Sequence, residues 1–279
     1  MILNLADWSR KAAISYSGSY TTKSITANGK QYMLYSFTGS GTLSVSGGKL
    51  KNADIWACGG GGSPALIKTS RGGGGGYTAQ LNGQTLPIGQ YVITIGAAQA
   101  ATSIARGGTA LLTANGAPVL SGTSDANSGK GGSGGGMAAG GTAVCKGQGT
   151  TTRPFGDTVN FASLPCAGGG GAGGRKSQGS YDDGSSAGDW YGYGGKGGSN
   201  GSDGGLGSVH NATDKPYGGA GGATGGGRGQ TLGEGGATAA VSTAGTYYGS
   251  GGGGAHYTHN GNGYQGWMLL RVPINSVIV

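Results

Sequence analysis

The stretch ADIWACGGGG, residues 53–62, contains the two signals that decide the fold of this chain. Ala53–Cys58 has the short apolar composition of a buried β-strand, and four glycines follow it directly. GYTAQL at Gly76–Leu81 leaves the next glycine tract in the same way. The sequence therefore predicts short strands joined directly to glycine tracts.

Strand signals continue on the N-terminal side of this stretch. QYMLYSF at Gln31–Phe37 and TLSVS at Thr42–Ser46 are rich in β-branched and aromatic residues. They flank Thr38-Gly39-Ser40-Gly41, so we expect them to form a hairpin.

On the C-terminal side, QYVITI at Gln90–Ile95 predicts a strand. Thr109–Thr113 and Pro118–Leu120 flank Asn115-Gly116, which predicts a second hairpin. Strand signals then nearly disappear until GWMLLRVPI at Gly266–Ile274. We expect this isolated strand to pair with the N-terminal ones.

Glycine accounts for 71 of the 279 residues, and all but six of these follow Cys58. Such a density is typical of flexible linkers. Charged residues are only 10% of the chain, however, and aromatic residues reach 8%, whereas disordered segments are rich in charge and poor in aromatics. We therefore predict an ordered chain.

The glycine tracts after residue 121 are short and separated by polar loops. Because glycine lets backbones approach closely, we expect the tracts to form left-handed polyglycine II helices that bond laterally through their amides. The tracts are Gly131–Gly136, Gly168–Gly174, Gly194–Gly198, Gly218–Gly222, Gly225–Gly229 and Gly251–Gly254.

These patterns predict a mainly β and irregular fold. Residues 31–121 and 266–279 form a small β-sandwich, and residues 122–265 form a long inserted polyglycine II helix bundle. Residues 1–30 form an N-terminal arm, in which Leu3, Leu5, Trp8, Ala12 and Ile14 give a loose amphipathic pattern. That segment either docks on a larger assembly or packs on its own domain.

The net charge of +8 suits an anionic partner such as a bacterial envelope, or serves solubility alone. The basic residues are scattered, so we expect no nucleic-acid partner. The N-terminus lacks the pattern of a signal peptide, and no apolar run reaches the length of a membrane span. Cys145 and Cys166 either form a disulfide or are buried thiols.

No residue pattern predicts an enzyme, a cofactor or a metal site. His256 and His259 lack a third ligand, and Asp182, Asp183 and Asp189 lack the spacing of a calcium loop. The glycine-rich motifs do not lie between a strand and a helix, as a dinucleotide site requires.

The loops of the insertion are rich in Tyr and Trp among Gly, Ser and Asn, which is the composition of binding loops. Either these aromatic residues recognise a partner or they cover the glycine backbone. The candidate binding residues are Phe155, Tyr181, Trp190, Tyr191, Tyr193, Tyr217, Tyr247, Tyr248, His256 and Tyr257.

The order YSFTGSGTLSV, ADIWACGGGG, GGGGGYTAQL, GQYVITIGA, GGTALL and GNGYQGWMLLRVPI resembles glycine-rich domains of bacteriophage tail fibres. The later tracts resemble the tail-fibre tip adhesins of T-even-type phages, in which loops between polyglycine II helices set host specificity. The resemblance covers residues 31–274.

This resemblance implies a receptor-binding protein on the virion surface, made in the host cytoplasm. Its partner would be a bacterial surface protein or glycan, and another virion protein would dock through the N-terminal arm, with a homo-oligomer as a further expectation. The alternative is a non-catalytic structural appendage or a capsid or tail decoration protein.

Overall fold

The computed structural model describes residues 11–63, 72–118, 130–135, 145–162, 168–169, 175–177, 190–193, 197–204, 208–210, 231–232, 238–240, 247–251 and 262–278. The described part is mainly β, with single turns of 3-10 helix at Pro154–Gly156 and Ile274–Ser276. The strands are β1 (Ala13–Tyr16), β2 (Tyr20–Ala27), β3 (Lys30–Phe37), β4 (Gly41–Ser46), β5 (Leu50–Cys58), β6 (Thr78–Leu86), β7 (Gly89–Thr94), β8 (Thr102–Arg106), β9 (Thr109–Ala114), β10 (Arg175–Ser177), β11 (Trp190–Tyr193), β12 (Ser208–His210), β13 (Thr231–Leu232), β14 (Thr238–Ala240) and β15 (Trp267–Pro273).

Ten of these strands form two antiparallel sheets. Sheet 1 has the order β1-β4-β7-β8-β9, and sheet 2 has the order β2-β3-β15-β5-β6. One apolar core draws on both sheets: Phe37 and Met268 come from sheet 2, while Leu43, Tyr91 and Ile104 come from sheet 1. All five side chains are at most 1% exposed, so the two sheets enclose a shared dry core.

Strand β15 confirms the predicted return of the segment Gly266–Ile274 to the N-terminal strands. It lies between β3 and β5 and pairs antiparallel with both. Its first four residues are buried, which agrees with a central strand that is covered on both faces. The predicted strands around β5, β6 and β7 are also present, although β6 ends at Leu86, five residues later than predicted.

Both predicted hairpins are wrong. Strands β3 and β4 lie in different sheets, so residues 38–40 cross between the sheets. A second crossing, residues 17–19, joins β1 to β2 beside it, and the amides of Thr38 and Gly39 donate to the carbonyl of Ser19. A Cβ at Gly41 would lie 2.9 Å from the Cα of Gly18, so glycine here permits two crossings to touch.

The predicted hairpin at Asn115-Gly116 is also absent, because the residues on its two sides have other partners. Strand β9 ends at Ala114, and it pairs with β8 through a turn at Gly107-Gly108. The carbonyl of Asn115 instead accepts a hydrogen bond of 2.9 Å from the amide of Tyr77. Pro118 is outside any strand, and residues 119–120 lie outside the described residues.

The two sheets begin earlier in the chain than the predicted boundary at residue 31. Strand β1 pairs with β4 in sheet 1, and β2 pairs with β3 along eight residues in sheet 2. Residues 13–16 are therefore a strand of sheet 1 and not part of a separate N-terminal arm. Residues 1–10 lie outside the described residues.

The described parts of the segment 122–265, in which almost no strands were expected, contain five short ones. Strands β10, β11 and β12 form a three-stranded antiparallel sheet, and β13 pairs with β14. None of the helices in the described residues is long and apolar enough to cross a membrane.

Candidate functional site

The glycines after β5 make backbone hydrogen bonds with three different neighbours in turn. The amides of Gly59 and Gly62 donate to the carbonyls of Tyr77 and Gly74, at 3.0 and 2.8 Å. Between them, Gly60 donates to Ala100 at 2.9 Å, and Gly61 donates to Tyr264 at 2.9 Å. Residues three apart thus meet the same neighbour, whereas the amides of a β-strand alternate between two sides.

The segment 72–77 continues this arrangement into the insertion. The carbonyl of Gly74 faces residues 59–62, and Gly75 donates to Ser133 at 2.8 Å. Gly76 donates to Gly249 at 2.7 Å. Segment 72–77 therefore connects the glycines beside β5 to segments 130–135 and 247–251. We refer to residues 59–62, 72–77, 130–135, 145–149, 168–169, 197–204 and 247–251 together as the glycine array.

Close backbone approach explains why the glycine array needs glycine. A Cβ at Gly131 would overlap the carbonyl group of Gly75, and one at Gly251 would overlap that of Gly73. The same overlap with a backbone carbonyl of another segment arises at Gly60, Gly61, Gly76, Gly134, Gly135, Gly169, Gly204 and Gly263. Any other residue at these positions would force the neighbouring segments apart.

Parts of the insertion cover the outer face of sheet 2, the face turned away from sheet 1. We call the aromatic residues there the outer aromatic cluster: Trp56, Phe155, Phe161, Tyr247, Tyr248 and Trp267. Tyr248 stacks on Trp267 with ring centroids 5.0 Å apart and an interplanar angle of 24°, and Trp56 meets Trp267 edge-on at 5.6 Å. Both faces of sheet 2 are therefore packed.

A buried ion pair joins β5 and β15 under this cover. Nε of Arg271 donates to Oδ2 of Asp54 at 2.7 Å, and both side chains are nearly buried. The guanidinium also lies between the rings of Tyr32 and Phe155, at 5.1 and 4.3 Å from their centroids. Its Nη1 is 3.9 Å from Oδ2 of Asp157. Arg271 thus links sheet 2 to the segment 153–161 of the insertion.

Asp157 organises that segment. Its carboxylate accepts hydrogen bonds from the amides of Val159 and Asn160 and from the Asn160 side chain, which also donates to the carbonyl of Thr26 in β2. Burial raises the pKa of Asp157, but the bonds from Asn160 and Val159, together with the charge of Arg271, outweigh it. The net pKa of the carboxyl is below its ordinary value.

A groove with a volume of about 200 Å³ opens beside the outer aromatic cluster. Its buried floor consists of Leu34, Phe161 and Trp267. The remaining lining residues are more exposed and mostly polar. They are Thr21, Thr22, Lys23, Ser36 and Tyr247.

The candidate binding residues fall into three groups. Phe155, Tyr247 and Tyr248 are half-buried and pack onto the outer aromatic cluster, so they are not free tips of exposed loops. Trp190, Tyr191 and Tyr193, expected in a loop, lie on β11, the middle strand of its sheet. Tyr181, Tyr217, His256 and Tyr257 lie outside the described residues.

Sequence reasoning missed the contribution of the sheet to this site. Lys23 and Ser36 lie on β2 and β3, and these polar residues gave no functional signal in the sequence. Trp267 was assigned only to a strand. The alternation along β3 and β15, where Ser36 and Trp267 point away from the shared core, was the signal that could have indicated a second buried face.

The described residues offer little for covalent or metal chemistry. Within them, no group of three His, Cys, Asp or Glu side chains is placed to hold a metal ion. Cys58 is buried, and burial raises the pKa of its thiol, which disfavours the reactive thiolate. Cys145 is buried as well. Asp182, Asp183, Asp189, His256, His259 and Cys166 lie outside the described residues.

Comparison with known proteins adds no relative to these observations. No protein-family model matches the chain, and no curated protein or solved structure matches it either. The fold and the geometry described above are therefore the basis of the functional argument.

Proposed function

We propose that this chain is a non-catalytic receptor-binding protein of a virion, a tail-fibre or tail-tip adhesin that recognises a bacterial surface protein or glycan. The observation that carries the proposal is the glycine array. It combines the strand-to-glycine order that resembles tail-fibre domains with closely packed, laterally hydrogen-bonded glycine backbones.

The hydrogen-bond pattern supports polyglycine II helices in this array. Such a helix has three residues per turn, so its amides point in three directions and bond to neighbouring segments. The residues 59–62 and 72–77 follow that period, since positions three apart meet the same neighbour. We extend this arrangement to the tracts of residues 122–265 as part of the proposal.

A rigid array suits recognition because its connecting loops start from fixed positions. Binding to a surface is stronger when the contact residues are already ordered, since less conformational entropy is lost. Trp190, Tyr191 and Tyr193 on β11 are our proposed contact residues, together with Tyr181, Tyr217, His256 and Tyr257. The N-terminal segment, residues 1–10, would dock on another virion protein. A homo-oligomer would raise the avidity for the bacterial surface.

A specific observation favours the alternative, a structural appendage or decoration protein. Phe155, Tyr247 and Tyr248 pack on the outer face of sheet 2, so three of the ten candidate contacts serve the fold. If the other aromatic residues do the same, the chain is a rigid surface module without a receptor.

Binding to cells separates the two functions. The purified chain, labelled with a fluorophore, is incubated with a panel of bacterial strains of different surface chemistry, and binding is measured by flow cytometry with unlabelled chain as competitor. An adhesin gives saturable, competable binding to some strains only. The double substitution Trp190→Ala with Tyr191→Ala should remove most of that binding while leaving the thermal midpoint within about 2 °C of wild type.

A matched control is Val159→Ala, which truncates an apolar side chain that is 82% exposed in another part of the insertion. It should bind as wild type. Absence of binding to every strain, with labelled antibody locating the chain along the shaft or on the capsid of a virion, would replace the adhesin proposal with the structural alternative.

A further inference from the structure

We propose that the groove beside the outer aromatic cluster binds one acidic sugar residue, a monosaccharide unit that carries a carboxylate. This inference rests on the proposed function and names the ligand class of one site within it. The groove lies on sheet 2 itself, not on a loop between glycine tracts.

The size of the groove limits the ligand. Sites for drug-sized molecules occupy about 300–1,000 Å³. A volume of about 200 Å³ is smaller than these, which suits a single sugar-sized ring and is too small for a helix. The groove has an apolar floor of Leu34, Phe161 and Trp267, each at most 5% exposed, so a sugar ring would rest on a small apolar patch and be held mainly by the rim.

The rim provides hydrogen bonds for hydroxyl groups. Thr21 and Ser36 are directly opposite each other on β2 and β3, so their side chains share the outer face. Nε1 of Trp267 donates to Oγ of Ser36 at 2.8 Å, so the Ser36 hydroxyl keeps its own proton to donate to a ligand. The same bond fixes the Trp267 ring, and stacking of Tyr248 on that ring adds to the fixation.

Charge selects an acidic sugar over a neutral one. Lys23 is exposed on the rim, and its Nζ lies 6.0 Å from the centroid of the Phe161 ring. Among the described residues it has no ion-pair partner, and none of the described lining residues is acidic. A ligand carboxylate that reaches Lys23 would form a charge-assisted bond, the stronger class of hydrogen bond.

The test uses two soluble probes that differ mainly in the carboxylate, methyl glucuronide and methyl glucoside, and measures binding to the whole chain by saturation-transfer NMR and titration. We expect the glucuronide to bind about two- to fivefold more tightly than the glucoside, with an affinity that falls as salt rises. Lys23→Gln should remove this preference, since it deletes one charged bond.

Two further variants make the result specific to the groove. Lys30→Gln removes an exposed lysine from the same β2–β3 hairpin without touching the groove, and it should keep the preference. Thr21→Tyr places a larger side chain on the exposed rim and should abolish binding of both glycosides, with an unchanged thermal midpoint.

Equal affinity for the two glycosides, or an equal loss of preference in Lys23→Gln and Lys30→Gln, would overturn the acidic-sugar assignment. Absence of binding by either probe would overturn the site itself. If cell binding survives in Thr21→Tyr and disappears only in the Trp190 and Tyr191 variant, the adhesin proposal stands without this groove. If the glycosides bind but no strain does, the groove stands and the adhesin proposal fails.

Discussion

Replacing Gly131 with alanine tests whether close backbone approach holds the glycine array together. A Cβ at Gly131 would lie 2.9 Å from the carbonyl carbon of Gly75. Carbon atoms in contact are about 3.5–4.0 Å apart, and the oxygen of that carbonyl would lie closer to the Cβ than its carbon does, so the two segments must separate by more than about 0.6–1.1 Å. The bonds between them, from Gly132 to Gly75 at 2.7 Å and from Gly75 to Ser133 at 2.8 Å, would then stretch to or beyond the usual limit.

Each buried donor that loses its partner costs about 1–3 kcal/mol. Losing these two bonds should therefore lower the free energy of unfolding by about 2–6 kcal/mol. The reduced entropy of the unfolded chain offsets about 0.4–1 kcal/mol of this loss. The remainder is a large part of the 5–15 kcal/mol that stabilises a typical domain.

Urea unfolding followed by tryptophan fluorescence measures this change, and hydrogen exchange shows whether the amides of Gly75 and Gly132 lose protection. Gly39→Ala is the matched control, because its Cβ would lie 3.3 Å from the Cβ of Ser19, which requires only a small adjustment. We expect the control to change the stability by less than about 1 kcal/mol. A Gly131→Ala protein as stable as this control would refute the close-approach argument.

Three further predictions concern ionisable groups. Arg271→Met should lower the free energy of unfolding in urea by about 3–5 kcal/mol, because it leaves Asp54 buried without its cation. The control Lys146→Ala breaks an exposed ion pair and should lower it by less than about 1 kcal/mol. Equal losses in the two variants would contradict this prediction. The pKa of Asp157 is lower in the folded state than in the unfolded state. Its carboxylate therefore stabilises the fold fully at pH values above the unfolded-state pKa of about 3.9, and this stabilisation is lost as the pH falls through the folded-state pKa. The thermal midpoint of Asp157→Asn should therefore fall less than that of wild type on acidification, and identical acid limbs would exclude the role. The thiol of Cys58, whose pKa is raised by burial, should resist iodoacetamide at neutral pH and react in urea, as peptide mass mapping would show; rapid labelling of the folded protein would contradict its burial.

The sequence predicted the strands whose side chains are mostly apolar. Strand β5 has six consecutive buried residues, and β15 begins with four, so their composition alone identified them. Strand β2 was missed because its first five residues are exposed and polar, and β8 was missed because it is short. Composition shows burial, and β2 buries little.

Strand pairing was harder to predict than strand position. The turn-like residues 38–41 lie at a crossing between sheets, where Gly41 is needed for contact with Gly18 rather than for a hairpin. The packing of Tyr247 and Tyr248 on Trp267 depends on residues far apart in the chain, which local patterns do not reveal. Only part of the candidate site was therefore predictable.

The central place of β15 in sheet 2 has a consequence for synthesis of the protein. Arg271 and Asp54, which this strand brings together, are 217 positions apart in the chain. At about 5–20 residues per second, a ribosome needs roughly 10–40 s to make the chain between them. During that time β3 and β5 both lack β15, the strand that lies between them and pairs with each of them.

Sheet 2 therefore assembles only after the glycine-rich residues have been made. Until then, the apolar edges of β3 and β5 are open to pairing with other nascent chains. Closing such a long loop also slows folding, because the entropy is lost before the contacts form. We expect the yield of native protein in the cell that makes it to depend on chaperones that protect these edges while translation continues.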